Sequence, residues 1–538
     1  MDTIEITLAL LLAIALVGAM AKWLPLPGPL LLVAGGVLLS FVPLLANLHL
    51  EPEIFFALFI PPLLFADGWL IPKRDFLSAL RPILLLAFGL VFLTVVAIGY
   101  LMHWLIPELP LAAAFALGAI VSPTDAVATA ATTERLQVPS RITSILNGES
   151  LINDASGLVA FKFAVAAVAT GVFSFVEAAE QFVLLAGGGF VAGLAVAWIV
   201  GECRVRLTRF CVDDPTIQTT LSILTPFAAY LAAESLHTSG ILSVVAAGLY
   251  AGAHDARNLS IGTRQHAWEV WKMLLYAFNG LVFLLLGLEL RGVISRITGA
   301  SWQELALYAL VLWIALTALR LLWVFPATHL PPLLSRRIRE REGFRDPRNI
   351  FLVGWAGLRG SVTMAAALSI PLVTVTGTPF PGRDLIIFLA GTTIVFTLVI
   401  NGLTLPWLIR FFGVHGDGNA EREESAARIA IAQAASNALR ESLPKLKRAE
   451  EIAVAQRLID EYDRQLHRHS ANAGRRVDLD TLADAERRLR LAALRAERAE
   501  LREMREADVI NDETVRSIEA EIDHAESFVA PVTARSHG

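Results

Sequence analysis

Gly148-Glu149-Ser150-Leu151-Ile152-Asn153-Asp154 sets two carboxylates, a hydroxyl and an amide inside a segment that otherwise reads as a membrane-spanning helix. An ionisable group costs about 2.5–3.5 kcal/mol at such a depth on insertion scales, so it is expected mainly where it does a job. At helical spacing Ser150, Asn153 and Asp154 share one face, and Glu149 with Asn153 forms an adjoining i,i+4 pair. About thirty residues upstream lies a second intramembrane acid, Asp125, within Val121-Ser122-Pro123-Thr124-Asp125-Ala126. A third polar island, Trp355-Ala356-Gly357-Leu358-Arg359-Gly360-Ser361, carries one arginine in an apolar run. Acids on two helices and a base on a third point to an ion path.

The surrounding chain reads as polytopic. Its 538 residues are 55% hydrophobic, and the mean hydropathy is +0.58, values typical of membrane proteins. Of its 95 Lys, Arg, Asp and Glu residues, 45 follow position 412. That asymmetry divides the sequence into a transmembrane domain, 1–412, and a charged helical cytoplasmic domain, 413–538. Thirteen apolar spans are legible, from 4–21 through 111–131, 142–170 and 350–373 to 384–408. Lys and Arg alternate between the loops, seventeen against three, Arg204 among the seventeen and Arg291, Arg296 and Arg383 being the three. The positive-inside rule then puts the N-terminus outside and the C-terminus in the cytoplasm. The first span has no basic leading segment, so it reads as an uncleaved helix rather than a signal peptide. Cys203 and Cys211 fall in a cytoplasmic loop, where neither a disulfide nor a metal site is expected. In the tail, alternating Arg and Glu from Arg495 to Glu506 predict i,i+3 and i,i+4 ion pairs. An imperfect stripe of Leu482, Leu489, Leu494, Leu501 and Met504 predicts helix packing. No nucleotide loop, cofactor motif or nucleic-acid motif is present.

Asp125 lies about fourteen residues from the outer end of the fifth span and Asp154 about twelve from the inner end of the sixth, so about 21 and 18 Å deep. Both depths fall near the middle of a core about 30 Å thick. Pro123 removes a backbone hydrogen bond, so the fifth span should break beside Asp125 and free carbonyl oxygens. Carboxylate, hydroxyl, amide and carbonyl oxygens are what a hard monovalent cation takes as ligands, and a carboxylate in low dielectric can exchange a proton for that ion. Gly357 and Gly360 around Arg359 predict a second interruption, in the twelfth span. Arg359 needs a partner there, which we expect to be Glu149, with Asp67 as the alternative. Lys162 is expected to snorkel or pair locally, Arg320 and Glu289 to anchor helix ends, and His237 and Asn279 to act as polar glue. The two interrupted spans are seven apart, an odd offset that reverses direction. This fits an all-α fold of two inverted six-helix repeats joined by the seventh span, with the binding site at the interruptions.

Gly148-Glu149-Ser150 followed by Asn153-Asp154, with Ser122-Pro123-Thr124-Asp125 upstream and Gly354-Trp355-Ala356-Gly357-Leu358-Arg359-Gly360 downstream, resembles the bacterial sodium/proton exchangers of the monovalent cation:proton antiporter family. Pro61-Pro62-Leu63-Leu64-Phe65, His237-Thr238-Ser239-Gly240 and Leu284-Leu285-Leu286-Gly287-Leu288-Glu289-Leu290 add to the resemblance, which covers about residues 5–410. It implies a homodimer in the bacterial inner membrane that exchanges cytoplasmic Na⁺ for external H⁺ in pH and sodium homeostasis, with K⁺ or Li⁺ as other cations. It further implies Asp154 as the principal acid, with Asp125, Thr124, Ser150 and Asn153 nearby and Glu149 acting through water or the arginine. Transported Na⁺ would sit between Asp125 and Asp154. Asn153 stands where electrogenic relatives carry a further aspartate, which favours one-for-one exchange. Asp67 stands where many members carry glutamate. An intramembrane aspartyl protease would need a Gly-x-Gly-Asp motif and a potassium channel a Thr-Val-Gly-Tyr-Gly-like filter; neither is in this sequence, and no enzymatic activity is expected.

Overall fold

The computed structural model describes residues 3–529 except 22, 25, 43–51, 134–135, 137, 171–174, 211–213, 298–300, 335, 337–345, 375–376, 415–418, 471–472 and 508–511. Among the described residues every regular element is helical, apart from one antiparallel bridge between Val373 and Pro379. Two compact units result, Met1–Gly416 and Asp417–Gly538.

The first unit runs α1 (Thr3–Ala21), α2 (Gly28–Leu39), α3 (Pro52–Leu70), α4 (Lys73–Ser78), α5 (Leu80–Leu105), α6 (Leu111–Val121), α7 (Ala126–Thr133) and α8 (Ser140–Thr170). It continues with α9 (Phe175–Arg209), α10 (Pro215–Ser235), α11 (Gly240–Asn258), α12 (Ile261–Arg296), α13 (Trp302–Leu334), α14 (Pro347–Trp355), α15 (Ser361–Leu368) and α16 (Arg383–Phe411). Starts follow local chemistry. Asp214, Ser239, Ser260 and Asp346 each accept a backbone N–H of the following turn, and proline occupies the first helical position after Asp214 and Asp346. Among the described residues six helices are long and apolar enough to cross a membrane. The other spans read from sequence fall on shorter, interrupted or more polar helices, among them α2, α6–α7, α10 and α14–α15, so the count of thirteen crossings is not fixed by length and hydropathy. Large apolar side chains such as Leu12, Phe92, Trp104, Ile199 and Leu322 cover the outside, as lipid contact demands. Small residues let backbones meet: a Cβ on Gly36 of α2 would lie 2.9 Å from the Gly287 Cα of α12.

Two π-helical turns, Leu85–Leu90 in α5 and Thr397–Gly402 in α16, loosen the regular ladder. Side chains of neighbouring helices use them. Ser156 of α8 donates to the Ala87 carbonyl at 2.6 Å, and Trp323 of α13 to that of Leu85 at 3.0 Å. Asn401 accepts from Trp313 at 2.9 Å and donates to the Trp355 carbonyl at 3.1 Å.

The loop expected around Cys203 changes, for Cys203, Arg204, Arg206 and Arg209 all belong to α9. Arg204 lies within α9 rather than in a loop, buried and paired with Asp255 at 2.9 and 3.1 Å, with Gln218 accepting at 3.1 Å. The helix of the seventh span runs on to Arg209, and Asp255 and Gln218 hold the Nη1 and Nε of that guanidinium inside the protein, while Nη2 is buried without a partner.

The second unit consists of α17 (Asn419–Ser442), α18 (Ala449–Ser470), α19 (Ala473–Glu506) and α20 (Asp512–Val529). Buried Ser436 donates to Asp463 at 2.9 Å, and Arg440 reaches the other Asp463 oxygen at 2.7 Å. Leu501, Val515 and Ile522 close the second hairpin against Leu494. Of the expected stripe, Leu489 is exposed, and the side chain of Leu482 lies outside the described residues. Arg498 pairs across the hairpin with Glu526 at 2.7 Å and with Asp523; on its own helix the positions three and four residues away are Leu494, Arg495, Leu501 and Arg502, which offer no carboxylate. These bonds, Glu526 first, raise its already high pKa.

Candidate functional site

Both predicted interruptions are present, and they meet. The chain leaves α6 at Val121 and resumes helix at Ala126; it leaves α14 at Trp355 and resumes at Ser361. A broken helix strands N–H and C=O groups that lipid cannot satisfy. Here each break satisfies the other. Asp125 N–H donates to the Leu358 carbonyl at 2.8 Å, the Thr129 hydroxyl to that of Ala356 at 3.3 Å, and Arg359 Nε to that of Val121 at 2.8 Å. The crossing is close because residue 360 has no side chain. A Cβ on Gly360 would overlap the Asp125 carboxylate.

Helix α8 passes alongside and locks the first break. Ser150 donates to the Thr124 carbonyl at 2.7 Å and accepts Ala126 N–H at 3.2 Å. Asn153 donates to the Thr124 hydroxyl at 2.8 Å, and its oxygen faces Thr124 N–H at 3.4 Å. Asp125 caps α7, its Oδ1 accepting Ala128 N–H at 3.0 Å, while Oδ2 is buried without a hydrogen-bond partner. A buried carboxylate oxygen without a hydrogen bond on a residue that lines a cavity is a candidate ligand position.

That cavity measures about 210 Å³ and is lined by Asp67, Thr124, Asp125, Asn147, Ser150, Asp154, Asn279, Ser361 and Thr363 among others. Four sequence-predicted residues, Asp154, Asp125, Thr124 and Ser150, therefore share one space. Asn153, Glu149 and Arg359 do not line it. Asn153 is occupied in bracing Thr124. The expected Glu149–Arg359 pair is not the one that forms. Fully buried Glu149 is held bidentately by Arg320 of α13, through Nη1 to Oε1 and through Nη2 to Oε2 at 2.8 Å. Arg359 instead spends its donors on carbonyls, Gly357 at 2.5 Å and Val121 at 2.8 Å, while its own N–H goes to the Thr397 hydroxyl at 3.1 Å. Arg320 also donates to the Val353 carbonyl of α14 at 3.1 and 3.3 Å, so both guanidiniums use carbonyls beside the interruptions, and Arg320 adds a carboxylate. Arg320 is thus a buried partner at the site, not an anchor at a helix end.

Five polar lining residues were not assigned to the site from sequence: Asp67 on α3, expected only as an alternative partner of Arg359, Asn147 on α8, Asn279, read as polar glue, and Ser361 and Thr363 on α15. Asp67 had a signal, an acid in the otherwise apolar span after Pro61-Pro62. Asn279 and Asn147 had none that separates them from ordinary polar contacts.

Crossed interrupted helices enclosing buried acids are the arrangement expected at the binding site of a secondary transporter. Comparisons with known proteins narrow the class. The transmembrane sodium/hydrogen exchanger family matches residues 9–411. The chain is 38% identical to the "Uncharacterized Na(+)/H(+) exchanger YjcE" of Escherichia coli (strain K12), over 97% of this chain and 98% of that one. It is 37% identical to the "Sodium, potassium, lithium and rubidium/H(+) antiporter" of Bacillus subtilis (strain 168), over 98% of this chain and 78% of that one. Among solved structures, the sodium proton antiporter MjNhaP1 from Methanocaldococcus jannaschii shares the fold, with a TM-score of 0.60 at 18% identity, covering 75% of this chain and 97% of that one. This chain belongs to the sodium/hydrogen exchanger family and is a multi-pass membrane antiporter.

Proposed function

We propose that the protein exchanges cytoplasmic Na⁺ for external H⁺, one for one, with Asp154 holding the cation or the proton in turn and Asp125 beside it keeping one protonation state through the cycle. The observation that carries this reading is the single cavity into which both acids open at the crossing of the two broken helices, with the Asp125 Oδ2 oxygen unpartnered. Asp154 is buried at 3% exposure beside that acid, so a cation or a proton must neutralise it. Binding of one excludes the other, which is the chemistry of exchange. Thr124 and Ser150 supply neutral oxygens, and Asp67 extends the acid set toward α3. Transport of K⁺, Li⁺ and Rb⁺ by the same site is a second reading, favoured by the printed name of the Bacillus subtilis relative.

The excess of cationic loop residues supports a C-terminal tail in the cytoplasm of a bacterial cell. We propose a homodimer, with residues 1–412 as the transport domain and 413–538 as the cytoplasmic one. The compact units meeting at Gly416 and Asp417 support that division.

The test is cation-dependent proton flux in liposomes clamped with K⁺ and valinomycin at zero and about −100 mV, where one unit charge carries about 2.3 kcal/mol. One-for-one exchange should run at equal rates at both potentials. A several-fold acceleration would show a second proton moving and would break the stoichiometry. Uptake of ²²Na⁺ against ⁸⁶Rb⁺ under a pH gradient separates the two cation readings.

A further inference from the structure

The cavity described above reaches Asp154 from the Asn147 side. From α8 it takes Asn147, Ser150, Leu151 and Asp154, and nothing beyond. The next two turns of α8 are closed by Leu158 and Phe161, both buried. Past them stands Lys162, eight residues on from Asp154 and so about 12 Å along the helix. Its Nζ meets Glu234 of α10 at 2.5 Å and lies over two rings, 5.9 Å from the centroid of Phe56 and 5.8 Å from that of Tyr230.

The carboxylate is held in place by the turn that follows it. Glu234 Oε1 also accepts Gly240 N–H at 3.3 Å, the first residue of α11. Between them His237 adopts φ 53°, a left-handed conformation that β-carbon-bearing residues seldom take. Thr238 N–H and hydroxyl both return to the Ala233 carbonyl at 2.9 and 3.0 Å, and Ser239 N–H reaches Leu185 of α9 at 3.0 Å. The His237-Thr238-Ser239-Gly240 turn is thereby a built mount for Glu234.

We propose that Lys162 and Glu234 form a latch that closes the side of the site away from the cavity and must open once in each transport cycle. The proposal rests on the exchange reading above. An exchanger that serves both faces needs a state in which Asp154 is reached from the far side, and the helix that carries Asp154 also carries Lys162. In that state the polar contact between α8 and the mounted carboxylate is lost. The side chains are 41% and 37% exposed, so the pair is weak enough to break thermally. It biases which side is open without locking it.

The closing experiment uses the full-length protein in proteoliposomes. Lys162→Gln and Glu234→Gln should each lower the half-saturating Na⁺ concentration on the far side by about two- to fivefold, with a smaller change on the cavity side, since a half-exposed pair is worth that factor. Lys162→Arg, which keeps the charge, should stay at wild type. Equal changes on both faces, or none in proteins that melt like wild type, would overturn the latch. A second arm is independent of these variants. Lys162→Cys with Glu234→Cys, in a Cys203→Ser, Cys211→Ser background, is bridged with a reducible bis-thiosulfonate. Bridging should cut exchange to under about a tenth, and reduction should restore it, because the far-side state is then barred. Bridged protein exchanging at full speed also overturns the proposal. Absence of exchange before bridging, in wild type as well, would instead overturn the exchange reading itself.

Discussion

At the break between α6 and α7 the chain presents a carboxylate and two oxygen-bearing neighbours; at the break between α14 and α15 it presents a guanidinium flanked by glycines. The first is bound outward, by α8 through Ser150 and Asn153, and leaves one Asp125 oxygen without a partner. The second is bound inward, Arg359 filling its own break's Gly357 carbonyl and the facing Val121 carbonyl. One break is left chemically open and the other is saturated. The same device, an interrupted helix, thus serves ligand binding in one half and support in the other.

The largest effect should come from the open side. Asp154→Asn keeps shape but neither releases a proton nor balances a cation, so exchange should vanish in folded, reconstituted protein; residual flux above about a tenth of wild type would remove Asp154 from its role. Next comes the contact between the breaks. Gly360→Ala drives a methyl into the Asp125 carboxylate and should cost about tenfold or more in turnover, as ångström displacements at reacting groups do. Gly402→Ala is its control: a Cβ there finds its nearest neighbour at 3.5 Å, and flux should stay near wild type. If both variants behave alike, the close crossing is not what positions Asp125.

The saturated side should register in stability. Glu149→Gln and Arg320→Gln each strand a buried charge, a loss on the order of 3–5 kcal/mol, read as a lower melting temperature in detergent. The double variant should recover part of it. Arg359→Gln strands carbonyls only, so its melt should fall less than that of Arg320→Gln. A larger fall, or recovery of Arg359→Gln by Glu149→Gln, would restore the pairing that sequence alone favours. Smallest of all should be truncation after Asn419. Every residue named at the cavity precedes that point, and proteoliposome flux should persist, while loss of membrane insertion would show that the tail belongs to the fold.

Much of this was legible in one dimension, for physical reasons. Lipid forbids unpaired polar groups, so the acids, the arginine and the proline stand out against apolar spans and mark both breaks in the sequence itself. Pro123 and the glycines around Arg359 placed the interruptions, since backbone geometry is a local property. Helical spacing put Ser150 and Asp154 on one face, and both line the cavity. Only the tertiary structure decided which charges meet. A guanidinium reaches whatever the fold brings within about 3 Å, and carbonyls freed by a broken helix do not register as partners in a sequence. So Arg359 drew its own loop, Arg320 took Glu149, and Asp255 drew Arg204 out of a presumed loop. Asp67 joined the cavity because α3 passes the crossing, a fact that depends on packing between helices far apart in the chain.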